Sequence, residues 1–339
     1  MLNPSLYIHI PFCARKCPYC DFYSLSDMQL QGAYVEECVR RLRESRATEG
    51  DRPYTTAYIG GGTPSVLQPE LLAKLLHEIQ CSGEFTIECN AASATHEFAQ
   101  VIRAGGINRV SMGLQSIVPE ERKALGRTAE FVLPKLGIDN LSLDVMLGIP
   151  GQTQQSLQTT LEFCARAGAK HVSAYLLKLE PGTPFHQNPP DLPCEDEQAE
   201  LYLFACDWLE RHGYAQYEIS NFAQPGYESQ HNLNYWRCGE YHAIGPGAHG
   251  FTGGRRWHYP RDMQAFLRGE PPVDDGEGGD DEERTMLALR LTEGIAKPTA
   301  ELRERAKLLG DYVICDEYGL RLTRAGMLLS NAVIGRLLG

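Results

Sequence analysis

The sequence predicts an α/β fold, a partial (β/α)6 TIM-like barrel followed by a small C-terminal α+β domain of winged-helix-like character. Two observations carry this prediction. Short β-rich runs alternate with helical stretches from the N-terminus to about residue 177, and that alternation stops after residue 213. A third observation, an acidic glycine-rich stretch at 274–281, sets the C-terminal segment apart.

The β-rich runs fall at 6–10, 55–59, 84–89, 109–114, 141–146 and 171–177, the spacing of parallel βαβ units. Helical candidates lie at 30–48, 69–80, 95–104, 119–125 and 153–167, with one more at 194–212 after the last run. In such a barrel the chemistry sits at the carboxyl ends of the strands. Residues 214–220 read as one further strand. A loop-rich stretch follows, holding residues 231–236 and the glycines at 245, 247 and 250, and it is expected to close the open side of the barrel. The acidic stretch 274–281 reads as a solvated linker. Beyond it come a helix at 282–291, a helix at 300–309, a hairpin at 312–322 turning at 317–319, and an apolar closing helix at 325–338. The expected organisation is a partial barrel at 1–213, a barrel-closing segment at 214–273, the linker, and a small domain at 282–339.

With 42% hydrophobic and 22% charged residues, the chain of 339 residues can bury a sizeable core. No run approaches the roughly 18 consecutive apolar residues of a spanning helix, so no transmembrane segment is expected. The opening Met1-Leu2-Asn3-Pro4 has no basic stretch leading into an apolar one, which makes cytoplasmic the expected location. A formal net charge of -12 disfavours nucleic acid or an anionic membrane as a general partner. The 11 cysteines of a chain this long are expected to be reduced thiols, and all but the first three are scattered.

Those three form the strongest signal. Cys13, Cys17 and Cys20 follow the first strand and the break at Pro11. Three thiolates so close can hold three irons of a [4Fe–4S] cube and leave the fourth iron open to an outside ligand. The alternative is a zinc site completed by His9 or a distant residue. After the second strand, Gly60-Gly61-Gly62-Thr63-Pro64 offers backbone that a ligand can approach closely, or simply makes a tight turn. Glu88, Gln115 and Asp144 are polar residues in or beside apolar β-rich runs, positions that face a site in a barrel, with a structural hydrogen bond or rim charge as the plainer alternative.

The C-x3-C-x2-C loop behind a first strand resembles the radical S-adenosylmethionine superfamily, and Tyr7-Ile8-His9-Ile10-Pro11-Phe12-Cys13 narrows the resemblance to the HemN/HemW branch. The resemblance implies the superfamily's barrel and its chemistry: S-adenosylmethionine chelates the open iron, and one electron from the reduced cluster cleaves it to a 5′-deoxyadenosyl radical. It assigns contacts with S-adenosylmethionine to Tyr7, Gly61, Gly62, Thr63, Glu88, Gln115, Arg127 and Asp144. It runs from about 7 to 250 and resumes at 321–338.

Within the branch, two features are similar to the HemW haem-chaperone family rather than to the coproporphyrinogen III dehydrogenase. The dehydrogenase carries a further cysteine two residues after its third ligand, where this chain has Phe22. The stretch His231-Asn232-Leu233-Asn234-Tyr235-Trp236 matches the H-N-x-x-Y-W haem-binding motif associated with HemW. The resemblance thus implies haem held by His231, Tyr235 and Trp236, a haem-acceptor protein, an electron donor and no assigned catalytic residue, with the dehydrogenase as the alternative. His242, His249 and His258 are weaker candidate haem ligands, and a polar loop is the plainer reading of 231–236. The connection 128–139 contains Pro134 and is shorter than the family's usual helix.

Overall fold

The computed structural model describes residues 4–50 and 52–339, so the opening Met1, Leu2 and Asn3 lie outside the described residues. Six strands form the barrel wall: β1 Ser5–Ile10, β2 Ala57–Gly61, β3 Phe85–Cys89, β4 Arg109–Gln115, β5 Asn140–Leu147 and β6 His171–Leu176. Each is parallel to the next in chain order. The helices Gln31–Glu49, Pro69–His77, His96–Ala104, Pro119–Ala124, Gln154–Arg166 and Glu195–Arg211 complete the alternation. Their ends have local causes: Thr95 and Thr153 accept hydrogen bonds from Phe98 N and Ser156 N, and Pro69 and Pro119 start helices where no backbone donor is needed. Leu72, Leu75 and Leu76, Phe98 and Ile102, and Leu157 and Leu161 line their inner faces and share one core with Ile8, Ile59, Ile87, Val110, Leu143 and Val172. After Ala124 the chain runs to residue 139 without a helix.

The closing segment extends this sheet at both edges into one of 12 strands. At one edge β7 Ala215–Gln216 and β8 Asn221–Ala223 add antiparallel to β6, so the single strand expected at 214–220 is instead a short strand, a turn and a second strand. At the other edge β9 Tyr241–Ile244 lies parallel to β1, followed by the antiparallel β10 His249–Thr252, β11 Arg255–His258 and β12 Val273–Glu277.

Strand β12 corrects the reading of the acidic stretch 274–281. Its first residues are not a free linker but an edge strand, held by an Arg255–Asp274 ion pair across the ladder, while Arg256 reaches Glu283 at 2.6 Å. Asp280 then caps the helix Asp281–Ala288, accepting from Glu283 N at 2.7 Å. The motif 231–236 is likewise no loop but the short helix Gln230–Trp236, capped by Ser229.

Beyond residue 288 the chain builds a second core from Leu302, Leu320, Met327, Val333, Ile334 and Leu337. It comprises the helix Ala300–Lys307, the hairpin of β13 Val313–Asp316 and β14 Gly319–Leu322, and the helices Arg324–Leu328 and Ser330–Leu338. The last pair replaces the single helix expected at 325–338, because Leu329 leaves helical geometry at φ -103 and ψ 24. Arg324 ties this part to the barrel through Asp207 and Glu210. Among the described residues no helix is long and apolar enough to cross a membrane.

Candidate functional site

The carboxyl ends of the barrel strands enclose a cavity of about 360 Å³. The cysteine loop forms one wall. Its ends are pinned by Cys13 N to Leu25 O at 3.0 Å and Leu25 N to Pro11 O at 2.7 Å, and Phe12 is buried against Tyr34. Cys13, Cys17 and Cys20 are free, half-buried thiols that all line the cavity. Cys13 Sγ sits 3.4 Å from Thr63 Oγ1. Burial raises the Cys20 thiol above its ordinary value, and the charges of Cys13 and Cys17 add to that rise.

This arrangement fits a cluster better than zinc. A single tetrahedral ion with bonds of roughly 2.3 Å needs its sulfurs roughly 3.8 Å apart. The three thiols do not form a set whose donor atoms all lie within 4.8 Å. A cube gives each thiolate its own iron and so tolerates wider spacing. His9, the expected alternative zinc ligand, has both nitrogens engaged, Nε2 with Tyr23 O at 2.8 Å and Nδ1 with the Tyr7 hydroxyl at 3.0 Å.

The glycines at the end of β2 serve the chain itself as well as any ligand. Gly61 has φ 105, and a Cβ there would stand 2.5 Å from the His9 ring. At Gly62 it would meet Phe12 O at 2.6 Å and Ile10 O at 2.8 Å. The turn is glycine-rich because the cysteine loop packs directly on it.

Opposite the thiols, Glu88 accepts from the Tyr58 hydroxyl at 2.7 Å and from Gly61 N at 3.0 Å. Burial, reinforced by the neighbouring Asp144 charge, pushes its carboxyl up to about 7 against these hydrogen bonds. Burial also raises Asp144, which accepts from Ser111 Oγ at 3.1 Å. A bulge between Gly113 and Gln115 interrupts β4, and Gln115 takes the left-handed conformation at φ 67. A non-glycine residue held there costs on the order of 1–3 kcal/mol, and such strain clusters at working sites. Arg127 reaches the same wall from beyond the helix Pro119–Ala124, donating to Gly113 O and to the Tyr19 hydroxyl, both at 3.1 Å.

Of the residues expected around S-adenosylmethionine, Gly61, Gly62, Thr63, Glu88, Gln115, Arg127 and Asp144 line this cavity. Tyr7 does not. It stands behind the wall on His9, its ring 6.2 Å from that of Tyr58. Sequence reasoning missed Tyr58, Ser111, Met146 and Tyr175, which line the cavity too. Strand alternation offered the signal for two of them, since stepping by two from Gln115 and Asp144 reaches Ser111 and Met146.

The residues expected to hold haem are not on this wall. His231 is fully buried, with Nδ1 2.7 Å from Thr56 Oγ1 and Nε2 2.7 Å from the Tyr235 hydroxyl. Thr56 spends its own proton on Ser5 Oγ, so His231 donates from Nδ1 and accepts at Nε2, a neutral ring. Burial, and the positive Arg109 nearby, lower its pKa to about 3. Both nitrogens of His231 are thus engaged within the fold, and an iron could reach one only if the helix Gln230–Trp236 moved. Tyr235 is occupied by the same contact. Trp236 and Tyr235 border a second cavity of about 350 Å³ with Glu218, Asn221 and Arg290, and Tyr175 lines both cavities. Burial raises Glu218 to about 7. The His231 ring also stacks on Tyr58 at 5.3 Å, so one side chain touches both the motif helix and Glu88.

Comparison with known proteins agrees with this geometry. Residues 7–164 match the family profile described as the Radical SAM superfamily. The chain is 36% identical to the heme chaperone HemW of Mycobacterium tuberculosis (strain ATCC 25618 / H37Rv), over 99% of this chain and 95% of that protein. It is 34% identical to the heme chaperone HemW of Bacillus subtilis (strain 168), over 99% of each. The fold superposes on coproporphyrinogen III oxidase HemN of Escherichia coli, a radical SAM enzyme, with a TM-score of 0.82 across 99% of this chain and 90% of that one, at 20% identity. Identity of this extent, with the cysteine loop at the mouth of the shared sheet, places the chain in the HemW family of the radical S-adenosylmethionine superfamily.

Proposed function

We propose that this protein is a haem chaperone: it holds a [4Fe–4S] cluster on Cys13, Cys17 and Cys20, binds S-adenosylmethionine in the adjoining cavity, and carries haem to an acceptor protein. The observation that supports this most is the chain-long identity to heme chaperones HemW. Phe22 adds to it, since this side chain, 58% exposed, borders the cavity where the dehydrogenase family has its extra cysteine. The likeness to coproporphyrinogen III oxidase speaks for the fold alone. All 11 cysteines are free thiols, which supports a reducing compartment such as the cytoplasm, and an electron donor is needed to reduce the cluster.

When bound, the cluster and S-adenosylmethionine supply one-electron cleavage of a sulfonium. The chain's own part is position and charge. Thr63 braces Cys13, Arg127 and Tyr19 stand beside Cys17, and Glu88 and Asp144 offer carboxylates to the cationic end of the ligand. Glu88 makes this pH-dependent. Its folded-state value lies above the ordinary 4.5, so its protonation favours the empty fold, and that contribution fades as pH rises from there through about 7. A cationic ligand favours the ionised form instead. S-adenosylmethionine should therefore bind cluster-loaded protein about tenfold more tightly at pH 8 than at pH 6 relative to Glu88→Gln, the change in ionised fraction across that range. Parallel titrations of the two proteins measure this, and equal pH profiles would remove Glu88 from the role.

The function itself is tested by an anaerobic assay with coproporphyrinogen III, reductant and S-adenosylmethionine, run beside a haem titration. Saturable haem binding with a Soret band, and no conversion of the porphyrinogen, is the expected pair of results. Turnover at enzyme-like rates would replace the chaperone reading with the dehydrogenase. In His231→Ala, the Soret band should shift if the helix Gln230–Trp236 opens to present the imidazole, with cluster iron as the control for folding.

A further inference from the structure

We propose that His249, His258 and Asp275 form a binding site for one divalent transition-metal ion of the zinc, cobalt and nickel class, on the sheet edge made by β10, β11 and β12. Each of the three offers one ligand atom, and these atoms all lie within 4.8 Å of one another, the one such set among the described residues. The placement follows from the ladder. His249 and His258 are direct partners in the antiparallel β10–β11 pair, and their rings lie 5.2 Å apart at 26°. The bulge between Arg256 and Trp257 shifts the register of β12, and Asp275 meets His258 Nδ1 with both carboxylate oxygens, at 2.8 and 2.9 Å.

The donor set decides the class of ion. Two imidazoles and a carboxylate suit zinc and its neighbours, whereas calcium and magnesium take oxygen ligands almost throughout. Three adjacent strands fix the donors before any ion arrives, so little chain entropy opposes binding. His258 and Asp275 keep 31% and 37% of their side chains exposed, which gives an ion entry and water to complete its shell. This site is separate from the cysteine loop. The two are linked, however, because Arg261 just after β11 pairs with Asp21, the residue following Cys20, at 3.1 Å.

The test titrates Zn2+ by calorimetry, and Co2+ by absorption, into anaerobically reconstituted protein whose cysteines already hold iron. One ion per chain is expected, with a Co2+ spectrum that lacks sulfur-to-metal charge transfer. His249→Ala and His258→Ala should each weaken binding by at least about tenfold, and Asp275→Asn should weaken it less, while iron content stays constant. Cys194→Ser and Cys315→Ser should change nothing. His249 is exposed, so its variant should fold and is the decisive arm. Zn2+ affinity unchanged in His249→Ala, a sulfur charge-transfer band, or no saturation below about 1 mM would each overturn the site.

Discussion

Replacing Cys13, Cys17 or Cys20 by serine is expected to remove the iron outright. Anaerobic reconstitution should give about four irons per wild-type chain and near-background iron in each variant, because a cube held by three thiolates loses a corner with any one of them. The loop is pinned at Cys13 and Leu25, so it cannot slide another sulfur into place. Cys89 is the other thiol on the cavity wall, but it is buried, and that burial pushes its thiol far above the range in which a thiolate forms. It should not substitute. Cys315→Ser, at an exposed position on β13, and Cys194→Ser, where serine is a good helix cap, should keep full iron. Stoichiometric zinc with no iron–sulfur absorption after reconstitution would reverse the assignment.

How far these results were legible in the sequence depends on how local their causes are. The barrel strands and the helices between them could be read within a few residues, because each is an apolar run or an amphipathic stretch with its own period. The sheet edges could not. Strand β9 pairs with β1 from more than two hundred residues away, and β12 hides its pairing in aspartates that look like a solvated linker until Arg255 and Arg256 stand opposite. The cavity wall was reached partly by pattern, at Glu88, Gln115 and Asp144, and partly only by family resemblance, as at Arg127, which arrives from a connection without a helix. Tyr7, also reached only by resemblance, supports His9 behind the wall. His231 shows the limit of a motif. Its spacing with Tyr235 suits one helical face, but its burial is dictated by Thr56 and Tyr58 on or beside β2 and by Glu84 before β3, none of which the motif contains.

Glu84→Ala is expected to destabilise the fold by about 3–5 kcal/mol, as breaking a buried charge pair does. That is a large share of the roughly 5–15 kcal/mol available to a folded chain. The Glu84 side chain is 7% exposed and its oxygen lies 3.8 Å from Nε of Arg109, which is 2% exposed at the start of β4. This nitrogen has no hydrogen-bond partner, so the carboxylate is its nearest compensating charge. Glu84 has a second task. It accepts from Ser229 Oγ at 3.2 Å, Gln230 N at 3.0 Å and His231 N at 3.1 Å, so one carboxylate serves the whole N-terminal end of the motif helix. Removal takes from a buried guanidinium its only ion-pair partner within 4 Å among the described residues, and from three donors their shared acceptor. Thermal denaturation followed by circular dichroism should show a Tm lower by roughly 4–7 °C. Arg109→Met should be costly for the mirror-image reason. The double variant Glu84→Met/Arg109→Met should then recover part of the loss, since no ion remains to be desolvated, while the uncapped helix keeps it below wild type. If Glu84→Ala costs less than about 1 kcal/mol, the value of an exposed ion pair, this carboxylate does not hold the barrel floor and the His231 helix together.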